Sequence, residues 1–229
     1  MEAAARVSLD NFRNIPWEGF WSAATNSLIL VAVVPTLTAI IGIAISWVVI
    51  RSGSKISGFF DVLAFLPHAV PGIVFAVGAL IFALFWLPTF IPFYGTILIL
   101  VAVYVIERMS FATRVYNGAL IQIHRELDEA GYVFGLKAVT VVRKILFPLL
   151  APAFLYSWLW MALLTYRELT VAALLVSQRN ITLPVFIWGI WSGGSLARAA
   201  SISVLLILLM SPLLVLYFVF GRRRLSLGF

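Results

Sequence analysis

The chain has 229 residues, 63% hydrophobic and 11% charged, with a mean hydropathy of +1.08, which excludes the roughly half-apolar, quarter-charged make-up of a soluble domain. The absence of cysteine excludes a disulfide framework and thiolate metal sites. The net charge of +7 is read through membrane topology, because no basic face with interleaved aromatics occurs outside the apolar runs, and nucleic acid is not an expected partner.

The opening MEAAARVSLDNFRNIPWEGF mixes polar and aromatic residues and lacks the apolar core and cleavage pattern of a secretory signal. Five helical spans are then expected, each long enough for about 30 Å of hydrocarbon. The first covers roughly 24–50 and stops at RSGSK. The second covers roughly 59–87, is broken by Pro67 and Pro71, and ends in LPTFIP. The third covers roughly 95–115. After a polar interruption the fourth covers roughly 149–176, followed by the polar segment SQRNITLPVFIWGIWSGGS. The fifth covers roughly 198–220 and ends at GRRR. The fold class is all-α: one polytopic membrane domain over 1–229, with a distinct polar region at 125–148.

Five spans put the termini on opposite sides. One face then holds Arg51, Lys55, Arg125, Lys137, Arg143, Lys144, Arg222, Arg223 and Arg224, and the other holds Arg6, Arg13, Arg179 and Arg198. The positive-inside rule makes the first face, and with it the C-terminus, cytoplasmic. Trp17, Trp21, Trp86, Trp188 and Trp191 fall near the outer ends, as interfacial anchors. An N-terminal tail outside the membrane, with no earlier span to carry it there, leads to the expectation of an upstream span or half before Met1.

The interruption at 128–148 reads DEAGYVFGLKAVTVVRKILFP. Residues 125–134 can form a short helix with Glu126, Asp128 and Glu129 near its start, where the helix dipole favours anions. Gly135 suits the left-handed position that ends a helix. From Leu136 a second helix carries Lys137, Thr140 and Lys144 on one stripe and Ala138, Val141, Val142 and Ile145 on the other. Such a helix lies in the membrane interface, and Pro148 is expected to mark its turn into the bilayer. The result is a projecting corner fit for a soluble partner; a generic amphipathic loop is the alternative.

Glu129-Ala130-Gly131, then Gly135, Ile145 and Pro148, resembles the EAA signature of binding-protein-dependent ABC importer permeases at every spacing. Gly131 replaces the second alanine, and Phe147 stands where leucine is usual. The resemblance runs from SLDNF to GRRR. It implies that this corner seats in a groove of a separate ATP-binding cassette ATPase dimer, and that ATP binds that partner while this chain binds no cofactor. It further implies an extracytoplasmic solute-binding protein, a second permease half, identical or different, a place in the cytoplasmic (inner) membrane among its lipids, and alternating access. No GxxxxGK[ST] phosphate loop occurs in the chain.

For the cargo path the candidates are Tyr166, Arg167 and Glu168 in the fourth span, and His68 between the two prolines of the second. Charges inside hydrocarbon need partners or water, so Arg167 and Glu168 either pair with other helices or face an aqueous path. Glu107, Arg108 and Arg114 are expected to pair across helices without a transport role. The surrounding YRELTVAALLVSQRNITLPVFIWGIWSGG resembles ferric iron permeases, and relatives carrying thiamine, polyamines or aminoethylphosphonate share much of it. Metal ligands are left unassigned. Two other classes fit less well. An intramembrane enzyme lacks convergent groups among His68, His124, Asp10, Asp61 and Asp128. An ion-coupled secondary transporter has only Glu168 as a midplane acid and leaves the projecting corner unexplained.

Overall fold

The computed structural model describes residues 10–86 and 93–225, except for the side chains of 138, 139 and 221–225. Arg6, the LPTFIP segment at 87–92 and the side chains of Arg222, Arg223 and Arg224 lie outside the described residues. All regular structure described is helical, which is how a chain satisfies its backbone polar groups inside hydrocarbon.

A single turn, α1 (Asp10–Arg13), precedes α2 (Trp17–Arg51). Pro16 supplies a fixed φ just ahead of α2, so the helix starts about two turns before the apolar run. Trp17 and Trp21 stack on its first turns. The long central helix, α5 (Ile97–Gln122), packs along α2. Gly42 permits the approach, since a Cβ there would lie 3.0 Å from Ala112 Cβ. Ser46 Oγ also donates to Thr113 O at 3.3 Å. The third side is closed by α8 (Phe147–Tyr166), whose Ser157 Oγ lies 2.7 Å from the Tyr116 hydroxyl. Trp158 Nε1 donates to Thr36 Oγ1 at 2.9 Å. A few polar links between closely packed helices suit a bilayer, where lipid gives apolar side chains no reason to leave it.

By length and composition three helices can cross a membrane, over 17–51, 142–166 and 196–220. A bent pair becomes a fourth when counted as one span. Although α5 is long enough, Glu107, Arg108 and Arg114 keep it out of that set. It holds the centre instead, with Leu100, Tyr104, Ala112 and Tyr116 fully buried.

The expected second span is folded: α3 (Ser57–Phe65), a 3-10 turn (Leu66–Ala69) and α4 (Gly72–Phe85) meet at a 106° bend. Val70 precedes Pro71, and the proline ring pushes it to φ −100°, ψ 127°. Pro67 O accepts the Val70 N–H at 3.3 Å.

The expected fourth span is shorter than 149–176. Helix α8 stops at Tyr166, α9 (Thr170–Leu174) is one turn, and α10 (Leu183–Ser192) follows. The loop between α9 and α10 is tied down by Asn180, which is buried. Its Nδ2 donates to Thr96 O and Leu175 O at 3.1 and 3.0 Å, and its Oδ1 accepts the Ser177 N–H at 2.6 Å. Ser177 Oγ donates to Gly95 O at 2.7 Å, where φ is +82°.

The last helix, α11 (Leu196–Leu225), runs antiparallel to α8. Tyr166 OH donates to Leu206 O at 3.3 Å, and Tyr217 OH donates to Tyr156 OH at 3.0 Å. The end of α11 therefore shares one end of the bundle with the start of α8.

Candidate functional site

At that end the chain builds a corner. Helix α6 (Glu126–Val133) carries Glu126, Asp128 and Glu129 in its first turn, as its dipole favours. Gly135 has φ +75°. Gly135 N–H reaches Tyr132 O at 2.9 Å and Leu136 N–H reaches Gly131 O at 3.0 Å, the paired bonds of a Schellman stop. Gly131 is explained by the fold: a Cβ there would lie 2.9 Å from Val141 Cγ2 and 3.0 Å from Ile145 Cδ1. The alanine usual at this place in the motif would push the two arms of the corner apart.

The second arm, α7 (Ala138–Val141), stays helical as it approaches Pro148. It continues through a π turn (Val142–Leu146) into α8, with helical angles on either side. Phe147 N–H bonds Val142 O, five residues back, and this wider turn accommodates the proline that cannot donate. The amphipathic arm thus passes into the membrane helix on helical backbone throughout, across the place where Pro148 was expected to mark a turn. Lys137 and Lys144 point outward, while Val141 and Leu146 are buried.

The three acids of α6 divide their roles. Glu129 and Ala130 are exposed. At the tip Val133 and Phe134 are 85% and 83% exposed, so the corner presents an unpartnered apolar point beside acidic residues. Asp128 turns inward, its Oδ2 3.4 Å from Arg51 Nε. Arg51 Nη2 donates to Leu120 O at 3.1 Å, and Arg125 Nη2 donates to Ile50 O at 2.7 Å. The ends of α2 and α5 are thereby fastened to α6. Neither Arg51 nor Asp128 was singled out from sequence for this. The available signal was an arginine at the last turn of one span and an acid that the EAA spacing does not use.

Farther along the bundle, a polar pocket of about 310 Å³ brings together His68, Glu107, Arg108, Arg167 and Glu168. Glu107 lies about 15 Å along α5 at 1.5 Å per residue, well inside the helix. Arg108 is 6% exposed. It donates to Glu107 Oε2 at 3.2 Å, faces Glu168 Oε2 at 3.8 Å and sits 4.6 Å over the Tyr104 ring.

Arg167 and Glu168 are not within a helix, as the long fourth span required, but in the break after α8. There Glu168 Oε1 accepts the N–H groups of Thr170 and Val171 and so starts α9. Tyr166 is the exception among the path candidates: buried against α11, it does not line the pocket. Glu107 and Arg108 belong to the pocket, a placement that the cost of intramembrane charge signals as strongly for them as for Arg167. Arg114 pairs elsewhere, with Asp61 of α3. A larger hollow of about 580 Å³ between α4 and α5 is lined by apolar residues and glycine and offers no hydrogen-bonding side chain to a polar cargo.

The class of protein is an ABC importer permease, a multi-pass protein of the inner membrane. The chain belongs to the family of binding-protein-dependent transport system inner membrane components, which residues 38–225 match. It is 25% identical to the Fe(3+)-transport system permease protein FbpB 2 of Haemophilus influenzae, over 82% of this chain and 37% of that protein. It is 26% identical to the ferric transport system permease protein FbpB of Actinobacillus pleuropneumoniae, over 90% of this chain and 30% of that one. The chain thus spans about a third of the length of these relatives. Its fold matches a chain of a bacterial ABC transporter for the acidic polysaccharide alginate, with TM-score 0.76 and 16% identity, covering 96% and 85% of the two chains. A chain of the inward-facing MetNI methionine ABC transporter gives TM-score 0.68 and 18% identity, covering 93% and 96%.

Proposed function

We propose that this chain is the membrane subunit of an ATP-driven importer that moves a small solute, ferric iron in the first instance, by alternating access. Extracytoplasmic binding protein delivers the solute, and ATP is hydrolysed on a separate ATPase dimer while this chain carries out no chemistry and binds no cofactor. The observation that carries this reading is the rigid, glycine-stopped corner at 125–148, with Glu129 and Phe134 exposed and Asp128 fastened to α2. In this account Glu129, Ala130, Gly131, Gly135, Ile145 and Pro148 form the docking element, and a second permease half completes the path. The corner and the C-terminus face the cytoplasm. His68, Arg167 and Glu168, joined by Glu107 and Arg108, line the path, because charges at this depth are stable only beside partners or water.

Reconstitution in proteoliposomes with the ATPase and the binding protein tests the class. Uptake of labelled ferric iron is expected to require ATP, both partners and an intact Glu129. Uptake driven by an ion gradient without ATP would remove the importer reading. ATP-dependent uptake of another solute, with iron excluded, would remove only the iron assignment.

A further inference from the structure

The polar pocket has an uneven supply of free hydrogen-bonding groups. Both carboxylates already face Arg108. Glu168 Oε1 accepts two backbone N–H groups at 3.1 and 3.4 Å, and its Oε2 faces Arg108. Glu107 Oε2 accepts from Arg108, and its Oε1 lies against Gly72, 2.9 Å from the place a Cβ would occupy there.

The free donor is Arg167. Arg167 lines the pocket and is exposed, and its side chain has no hydrogen bond or ion pair among the described residues. Arg108 Nε is buried without a hydrogen-bond partner. His68 lines the same pocket, exposed, its ring 5.5 Å from that of Phe65. A ligand seated here meets the exposed guanidinium of Arg167 beside the His68 ring, and a guanidinium's planar fork matches carboxylate and phosphate oxygens. A bare metal cation would need several free oxygen ligands. Among the described residues no group of three His, Asp or Glu could hold one, and Arg108 already occupies the acids.

We infer that this pocket receives an oxyanion-bearing cargo, either a carboxylate, phosphate or phosphonate or a metal ion still enclosed by such groups, and that bare cations are turned away. The inference rests on the proposed importer reading and sharpens it: iron would cross as an anion complex, with Arg167 the residue that selects it.

Arginine modification by phenylglyoxal, resolved peptide by peptide by mass spectrometry on the delipidated, ATPase-bound complex in detergent, tests this without transport. Citrate, inorganic phosphate and 2-aminoethylphosphonate, each at about ten times its half-protecting concentration, are expected to slow modification of Arg167 about tenfold, since protection follows occupancy. Chloride and manganese(II) chloride leave it unchanged, and Arg198 reacts at one rate throughout. Equal rates at Arg167 with and without every oxyanion would overturn the inference. So would protection by added phosphatidylglycerol alone, which would make the pocket a lipid headgroup site. In proteoliposomes Arg167→Gln is expected to lower uptake about tenfold, with ATPase binding intact and Arg167→Lys partly restoring it. Wild-type uptake by Arg167→Gln would also overturn it. Failure of the wild-type chain to bind an ATPase would instead remove the importer reading beneath it.

Discussion

Arg51 Nε lies 3.4 Å from Asp128 Oδ2, across the gap between the last turn of α2 and the first turn of α6. The same guanidinium holds Leu120 O at the end of α5. One side chain therefore links the corner at 125–148 to the two helices that form the centre of the bundle. A push on α6 reaches α2 and α5 through this link, in addition to the covalent route through the π turn into α8. Asp128→Asn keeps the carbonyl bonds of Arg51 and removes only the charge. It is expected to leave ATP hydrolysis in place while lowering uptake per ATP several-fold. Arg51→Ala leaves Asp128 and Leu120 O without that partner and is expected to cost about 3–5 kcal/mol, read as a fall in Tm of the detergent-solubilised chain larger than that of Asp128→Asn.

Gly131 is the departure from the EAA pattern that the corner itself requires. Gly131→Ala is expected to weaken ATPase binding by about 1–3 kcal/mol through overpacking against Val141, even though alanine favours a helix. Adding Val141→Ala removes the opposing methyl and is expected to restore most of the loss. A pull-down titration with purified ATPase measures both variants. Full binding by Gly131→Ala alone would show that the two arms have slack.

At Gly135 the constraint is conformational and not steric. No atom lies within 4 Å of a Cβ built there, yet φ is +75°. Gly135→Ala is expected to cost about 1–2 kcal/mol, and Gly135→Asn less, because asparagine tolerates the left-handed region. Thermal unfolding of the three variants checks the order glycine, asparagine, alanine.

The parts of this fold legible in the sequence were those set by local rules. The helical class, the first and last spans, and the left-handed stop at Gly135 follow from composition, apolar run length and glycine stereochemistry. The misjudged parts depend on partners distant in the chain. Tyr166-Arg167-Glu168-Leu169-Thr170 has nothing local to forbid a helix, and the break there coincides with Glu168 capping α9 while facing Arg108 of α5. Pro148 is an ordinary helix breaker by propensity, but a π turn before it absorbs the missing donor. Asn180 stood in a segment read only as polar, and its burial depends on carbonyls of Thr96 and Leu175 that periodicity does not reveal.

Asn180 supplies a prediction for the opposite end of the bundle. Asn180→Leu removes its bonds to Thr96, Leu175 and Ser177, leaving buried polar groups unsatisfied at about 1–3 kcal/mol each. The variant is expected to become sensitive to limited proteolysis between α9 and α10 while still binding the ATPase, since the docking corner lies at the other end. Loss of ATPase binding with an uncut loop would show that the two ends are not separable in this way.

The central claim is that the corner at 125–148 is where the ATPase docks. The chain contains no cysteine, so single cysteines can be placed without background. Phe134→Cys, at the exposed tip, is expected to cross-link to the ATPase through benzophenone-4-maleimide, which alkylates the thiol and on illumination inserts into a nearby C–H bond, while Trp21→Cys near the start of α2 does not. A cross-link at position 21 with none at position 134 would contradict the account directly.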